Sequence, residues 1–225
     1  MSFDDAIKAL SLDALKNVKD GYILGLGSGR AATALVKSLS KFIKTKKISV
    51  TCVPTSMQIK LTAESGGLQL IDPDQIDKID LVFDGADQID KNKFLIKGGG
   101  GALLKENIII GAAKKIIIMA DSSKFVKDFN RTVPIEIHPV ARQIVWKKIE
   151  KLSGTPKLRV LDRGYPFVTE NSNLILDCDF GTIKNPKILQ QKILNIGGVV
   201  EVGIFTKKPD IIYKAKLNGK FDILR

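Results

Sequence analysis

Gly21-Tyr22-Ile23-Leu24-Gly25-Leu26-Gly27-Ser28-Gly29-Arg30-Ala31-Ala32 is the stretch whose reading decides the fold. Its first half is a short apolar run, and a glycine-rich turn carries it into a helical pattern that continues from Ala31 to Phe42. An apolar strand feeding a helix through such a turn is the opening of a parallel α/β unit. The alternation then repeats: strand Ile48 to Val53, helix Ser56 to Glu64, strands Leu68 to Ile71 and Ile79 to Phe83. After a run of glycines, a helix from about Ala102 to Ala113 leads into a strand from Lys115 to Ala120. Strands that are apolar throughout belong to a parallel sheet covered on both faces. Ahead of all this, Phe3 to Val18 carries Ile7, Leu10, Ala14 and Val18 at helical spacing.

Beyond Thr132 the pattern changes. Strands are expected at Val133 to Ile137, Leu158 to Leu161, Leu174 to Leu176 and Val199 to Phe205. Helices are expected at Ala141 to Leu152 and Pro186 to Leu194. That is an α+β pattern, read as a smaller second domain over residues 131–206. Residues 1–130 and 207–225 form the first, with Asp210 to Lys216 and Phe221 to Leu224 placed to return to its sheet.

Composition excludes several classes of function. With 44% hydrophobic and 27% charged residues among 225, the chain is that of an ordinary globular protein. No apolar run approaches the ~20 residues that span a bilayer. The acidic start, Met1-Ser2-Phe3-Asp4-Asp5, lacks the basic segment of a signal peptide, so cytoplasm is the expected location and no membrane partner is expected. Cys52 and Cys178 form no cluster, and His138 is the single histidine, which leaves no zinc site, disulfide framework or histidine triad. The net charge of +12 comes from lysines spread along the whole length, without interleaved aromatics, so no nucleic-acid partner is expected. The same positive field attracts small anionic substrates.

Four strand ends carry residues suited to chemistry. The Gly25–Ala32 turn suits a compact phosphate or carboxylate, held by backbone N–H groups at a helix start; a plain tight turn is the alternative. It fails as a dinucleotide fingerprint, with Arg30 where a small residue belongs and Pro54-Thr55-Ser56 where an acid belongs. Asp84-Gly85-Ala86-Asp87 offers two carboxylates to orient hydroxyls or move protons, against a metal site or a solvated turn. It is no calcium loop, since its twelfth position is Leu95. Lys97-Gly98-Gly99-Gly100-Gly101 sits tightly between a strand and a helix, so its amides can grip a ligand; a flexible linker is the alternative. Glu106 follows in the first turns of that helix, where a carboxylate stays ionised and can act as a base. Ala120-Asp121-Ser122-Ser123-Lys124 is a further strand end, equally readable as a helix cap.

In order and spacing, Asp84-Gly85-Ala86-Asp87, the Lys97–Leu103 glycine run and Glu106 together resemble the signature of the type A ribose-5-phosphate isomerases. The Gly25–Ala32 turn, Val53-Pro54-Thr55-Ser56, Ala120–Lys124 and Gly197-Gly198-Val199-Val200-Glu201 extend the resemblance over nearly the whole chain. It implies a Rossmann-like domain with a smaller ferredoxin-like domain inserted near the C-terminus. It implies an aldose–ketose isomerisation of ribose 5-phosphate through an enediolate, in the non-oxidative pentose phosphate pathway, with no cofactor and no metal. Members are usually homodimers or homotetramers. By the same resemblance Glu106 is the base, Lys97 stabilises charge on the sugar oxygens, and Asp84 and Asp87 handle hydroxyl protons and ring opening. Gly85, Ala86, Gly98, Gly99 and Gly100 line the substrate, and Ser28, Gly29, Arg30 and Ala31 hold the phosphate with Lys8 and Lys124 as nearby cations. Two departures stand out: Gly27-Ser28-Gly29-Arg30-Ala31 replaces the usual Gly-Thr-Gly-Ser-Thr, and Gln88 replaces an acid after Asp87. An amino-sugar-phosphate deaminase would need a histidine near the site, and a sugar-phosphate-sensing module would need a DNA-binding segment longer than the helix before Gly21.

Overall fold

The computed structural model of the chain describes residues 3–225. Met1 and Ser2, the start of the acidic stretch, lie outside the described residues. In chain order the elements begin with α1 (Phe3–Ala14), β1 (Ile23–Leu26), α2 (Arg30–Lys46), β2 (Thr51–Pro54) and α3 (Met57–Ser65). Next come β3 (Gln69–Leu70), β4 (Leu81–Asp84), β5 (Gln88–Ile89), β6 (Leu95–Ile96), α4 (Leu103–Ala112) and β7 (Ile116–Asp121). The remainder is β8 (Val133–Ile137), α5 (Arg142–Lys151), β9 (Thr155–Leu158), β10 (Leu174–Asp179), α6 (Pro186–Leu194), β11 (Val199–Val202), β12 (Ile204–Phe205), β13 (Ile211–Ala215) and β14 (Phe221–Leu224).

The chain divides into two compact units, the first made of Met1–Ala86, Lys105–Lys124 and Lys207–Arg225. Its seven-stranded sheet runs β14-β13-β7-β4-β1-β2-β3, with every neighbouring pair parallel except β13 and β14. The C-terminal strands thus return to the first sheet as the sequence implies. β4 is buried at all four positions and β7 at five of six, the burial expected of strands covered on both faces. On α2 the buried residues are Ala32, Leu35, Val36 and Leu39, spaced i, i+3, i+4, i+7, so a single stripe faces the sheet. Burying each of those leucines stabilises the unit by about 1.5–3 kcal/mol. The helix stops at Lys47, whose left-handed backbone returns its N–H to the Ile43 and Lys44 carbonyls, with Lys44 and Lys46 favourably placed at the negative helix end.

The second unit comprises Asp87–Leu104 and Phe125–Thr206. Its strands β8, β9, β10 and β11 alternate with α5 and α6 as β-α-β-β-α-β, and their antiparallel order β11-β8-β10-β9 is the ferredoxin-like one. One face of this sheet, with Val133, Ile135, Ile137, Leu176, Cys178 and Val202, shares an apolar core with Val145 and Ile149 of α5 and Ile193 of α6. By the period-two alternation of strands, Pro134, Glu136, Ile175, Asp177 and Glu201 occupy the opposite face.

Three details differ from the sequence reading. The stretch expected as one strand from Val199 to Phe205 breaks at Gly203 into β11 and β12, which belong to different sheets. The Gly203 N–H donates to the Pro134 carbonyl (2.7 Å) and its own carbonyl accepts from Lys97 N (2.9 Å). A Cβ there would lie 2.4 Å from the Lys97 carbonyl oxygen, so only glycine lets the two backbones approach. The strand expected at Leu158 to Leu161 lies three residues earlier, at Thr155–Leu158; Val160 and Leu161 are exposed beyond its end. Finally, Asp87–Leu104 groups with the second unit, where β6 pairs with β5 on one side and β12 on the other in a small antiparallel sheet. These two-residue strands are too short to leave a periodic signal.

Candidate active site

In the first unit, the strand order reverses between β1 and β4, the place where open α/β sheets bind ligands beyond their carboxyl ends. The two strand ends are locked together there. Gly27 N–H donates to the Phe83 carbonyl at 2.8 Å, and a Cβ on Gly27 would fall 2.0 Å from both Cγ and Oδ1 of Asp84. Asp84 is fully buried, and its Oδ1 accepts from the Gly85 N–H at 2.7 Å. The missing side chain at Gly27 is therefore the space that the Asp84 carboxylate fills.

Next to it, three hydroxyls gather at the ends of β1 and β2. Ser28 Oγ lies 2.9 Å from both Thr55 Oγ1 and Ser56 Oγ, while Thr55 Oγ1 donates to the Leu26 carbonyl at 3.0 Å. Ser56 also caps α3 by accepting from Ile59 N–H. Gly29 and Arg30 are exposed and Ala31 half-buried at the start of α2, whose first N–H groups have no partner within the helix. Asp121 closes β7 and accepts from the backbone and the hydroxyl of Ser123, so it does act as a local turn cap; Lys124 stands half-buried at the end of the same turn. Lys8 is exposed on α1, the helix that packs on α2 and β13.

Glu106 is buried in the first turn of α4. Ile79, just before β4, donates its N–H to Ala112 and accepts from Lys114, so the end of α4 lies at the amino end of β4. Glu106, seven residues before Ala113, is therefore about 10 Å along the helix towards the carboxyl ends of the strands. Ile109, one turn further on, packs against β1: its Cδ1 is 3.1 Å from where a Gly25 Cβ would be. Lys207 holds the other end of α4, its Nζ donating to the carbonyls of Ile110, Gly111 and Ala113 at 2.7–3.2 Å.

The second unit carries Asp87, Lys97 and the glycine run. Asp87 N–H donates to the Ile96 carbonyl, and its Oδ2 accepts from the Gly99 N–H at 2.8 Å. Lys97 is buried, with its Nζ 5.8 Å from the centre of the Phe205 ring, a cation held over an aromatic face. Gly98 to Gly101 close a turn through the Gly101 N–H to Gly98 carbonyl bond, so the run is ordered structure and not a linker. Gly98 and Gly101 are buried, while Gly99 and Gly100 face solvent. Among the described residues, no three His, Cys, Asp or Glu side chains gather closely enough to hold a metal ion.

Residues 51–219 match the family model of ribose 5-phosphate isomerase A, also called phosphoriboisomerase A. The chain belongs to the ribose-5-phosphate isomerase A family. It is 36% identical to the ribose-5-phosphate isomerase A of Methanosarcina acetivorans over 218 residues, covering 96% of this chain and 93% of the relative. The corresponding protein of Methanococcus aeolicus is 39% identical over 204 residues, covering 89% and 87%. Among solved structures, ribose 5-phosphate isomerase A from Methanocaldococcus jannaschii superposes with a TM-score of 0.93 at 33% identity, covering both chains fully. A D-ribose-5-phosphate isomerase solved in complex with phospho-erythronic acid gives 0.94 at 33% identity, again with full coverage of both chains.

Beside the residues that the family signature names, the structure adds others. Thr55 and Ser56 belong to the hydroxyl cluster; the sequence marks them as part of the Val53–Ser56 stretch that resembles the family, without a role. Arg159 and Phe167 reach the glycine run: Arg159 Nη1 donates to the Gly98 and Gly99 carbonyls, and a Cβ on Gly101 would lie 2.5 Å from Phe167 Cζ. No sequence signal marks either, since they lie some sixty residues along the chain from the glycines they touch.

Proposed function

We propose that the protein interconverts D-ribose 5-phosphate and D-ribulose 5-phosphate by proton transfer through an enediolate. The observation that carries this reading is the Asp84 carboxylate, buried at the topological switch point beside the Ser28, Thr55 and Ser56 hydroxyls, in a chain of the ribose-5-phosphate isomerase A family. A phosphate anchored by those hydroxyls and by the first amides of α2 places the sugar chain beyond the strand ends. Arg30, Lys124 and Lys8 add positive charge to the anchor. The Glu106 carboxylate takes the proton from C2 of the open-chain aldose and returns it to C1. The electron pair of the broken C–H bond stays in the substrate as the enediolate, and the hydroxyl proton of O2 ends on O1. Lys97 and the Gly100 amide stabilise the charge that develops on the sugar oxygens, while Asp84 and Asp87, the latter held by the Gly99 amide, move hydroxyl protons and open the ring. Phospho-erythronic acid supports the enediolate, because its carboxylate presents two oxygens on one planar carbon next to a hydroxyl-bearing carbon, with a phosphate at the far end.

Glu106→Gln tests the assignment, since it keeps the size of the side chain but removes its basicity. Turnover should fall by about 10²–10⁴-fold, and exchange of the C2 proton with solvent deuterium should disappear, while phospho-erythronic acid still binds. Near-normal turnover would overturn the role of Glu106 and pass it to Asp84.

We also carry the homodimer or homotetramer into this reading, with cytoplasm as the site of action. Val160, Leu161, Tyr165 and Val168 form an exposed apolar group on one stretch of the second unit, which supports self-association. Light scattering on the purified protein decides between the two assemblies. Among the described residues no helix is long and apolar enough to cross a membrane.

A further inference from the structure

We infer that Arg159 is the positioning residue of the glycine loop, fixing the Gly99 amide on the carboxylate of Asp87 and turning the Gly100 amide to the same side of the loop. The inference rests on the proposed isomerase reading for its catalytic consequence, and on the second unit alone for its geometry. Arg159 Nη1 donates to the carbonyls of Gly98 (2.9 Å) and Gly99 (3.1 Å). All peptide bonds here are trans, so in each plane the N–H points opposite to the C=O. Pulling both carbonyls towards one guanidinium therefore sends the N–H groups of Gly99 and Gly100 the other way. The Gly99 amide confirms the direction, since it donates to Asp87 Oδ2 at 2.8 Å. The Gly99 amide thus holds the Asp87 carboxylate in place, and the Gly100 amide, on the exposed side of the loop, is directed at an oxygen on which negative charge grows.

The guanidinium is itself held on three sides. Nε and Nη2 form a two-pronged pair with Asp177 at 2.8 and 2.5 Å, and the Phe167 ring centre lies 5.6 Å from Cζ. Asp177 stands on β10 beside the middle strand β8, so the clamp is anchored in the four-stranded sheet. Lysine cannot replace this arrangement, because a single ammonium cannot grip a carboxylate with two parallel bonds and two carbonyls at once. The planar fork of arginine is what the site uses.

The test combines kinetics with amide exchange in Arg159→Met, Arg159→Lys and Asp177→Asn. If the Gly100 amide stabilises developing charge and the Gly99 amide holds Asp87, Arg159→Met should lower kcat by about 10²-fold or more, the size of effect seen when an oxyanion donor is lost. Inhibition by inorganic phosphate should change by less than about threefold, because uniform anchoring is untouched. Affinity for phospho-erythronic acid should fall in step with kcat/KM. Arg159→Lys should fail to restore kcat, and Asp177→Asn should fall between wild type and Arg159→Met. Exchange of the Gly99 amide, followed by NMR, should accelerate in every variant more than that of the β8 amides. Folded variants with wild-type kcat and unchanged Gly99 exchange would overturn the inference. If Arg159→Met does not fold, the same two readouts on the milder pair decide it. Wild-type protein that does not isomerise ribose 5-phosphate would instead refute the functional reading, and the exchange of Gly99 would still decide the clamp.

Discussion

Replacing Gly27 with alanine would put a methyl group into the space that the Asp84 carboxylate occupies. The added Cβ would lie 2.0 Å from Cγ and Oδ1 and 2.6 Å from Cβ of Asp84, well inside van der Waals contact. Gly27 cannot retreat easily, since its N–H is bonded to the Phe83 carbonyl, and Asp84 is fully buried at the end of β4. Gly27 does not need a left-handed backbone, so the clash is purely one of side chains. Overpacking a core costs about 1–3 kcal/mol. Driving Asp84 off the Gly85 N–H removes a charged hydrogen bond, about 1.5–3 kcal/mol more. The stiffer unfolded chain offsets about 0.4–1 kcal/mol. A net loss of about 2–5 kcal/mol lowers the melting temperature of a chain this long by roughly 5–15 °C.

Scanning calorimetry measures the loss, and a paired variant shows its cause. Asp84→Gly removes all three atoms that the methyl meets, so it should cost less stability in the Gly27→Ala background than in wild type. Gly29→Ala is a useful contrast: nothing stands within 4 Å of a Cβ there, and its φ of 95° with ψ of −179° costs only backbone strain, about 1–3 kcal/mol, with no coupling to Asp84. A Gly27→Ala protein that melts like wild type, with no coupling to Asp84, would refute the packing of the two strand ends described above.

Three further outcomes are expected. Arg30→Ala should raise the KM for ribose 5-phosphate with little change in kcat, because an anchor lost equally from ground and transition states affects binding alone; an unchanged KM would show that Arg30 does not hold the phosphate. Hydrogen bonds from Lys114 and from the Ile23 N–H hold Asp80 below the usual carboxylate range, so its contribution is present at neutral pH and is lost as pH falls through its lowered folded value. Asp80→Asn should therefore destabilise the protein at pH 7 and converge on wild type in acid, and a penalty independent of pH in denaturant titrations would contradict this. Burial pushes the Cys52 thiol up to about 12 and the Cys178 thiol higher still, so neither should react with a thiol reagent at pH 8 until the chain unfolds; rapid labelling of the native protein would contradict their placement.

Much of the architecture was legible in the sequence because it rests on local periodicity. The stripe Ala32, Leu35, Val36, Leu39 and the unbroken apolar strands Leu81–Phe83 and Ile116–Ala120 declare their faces to anyone counting positions. The motifs at Gly27, Asp84–Asp87 and Lys97–Gly101, with Glu106 beyond them, were legible too, since glycines and carboxylates at strand ends need no partner to be noticed. What tertiary structure alone decided depends on distant contacts. Gly203 ends one strand and starts another because the Lys97 carbonyl lies against it, 106 residues away in the chain. The strands β5 and β6 exist because they pair with each other and β12 adds its hydrogen bonds to β6, not because two residues have a preference. Why Gly27 is glycine is settled by a carboxylate 57 residues further on, and why the glycine run holds its shape by the guanidinium of Arg159. A sequence displays the pattern along one element, whereas the space between two elements exists only once both have folded.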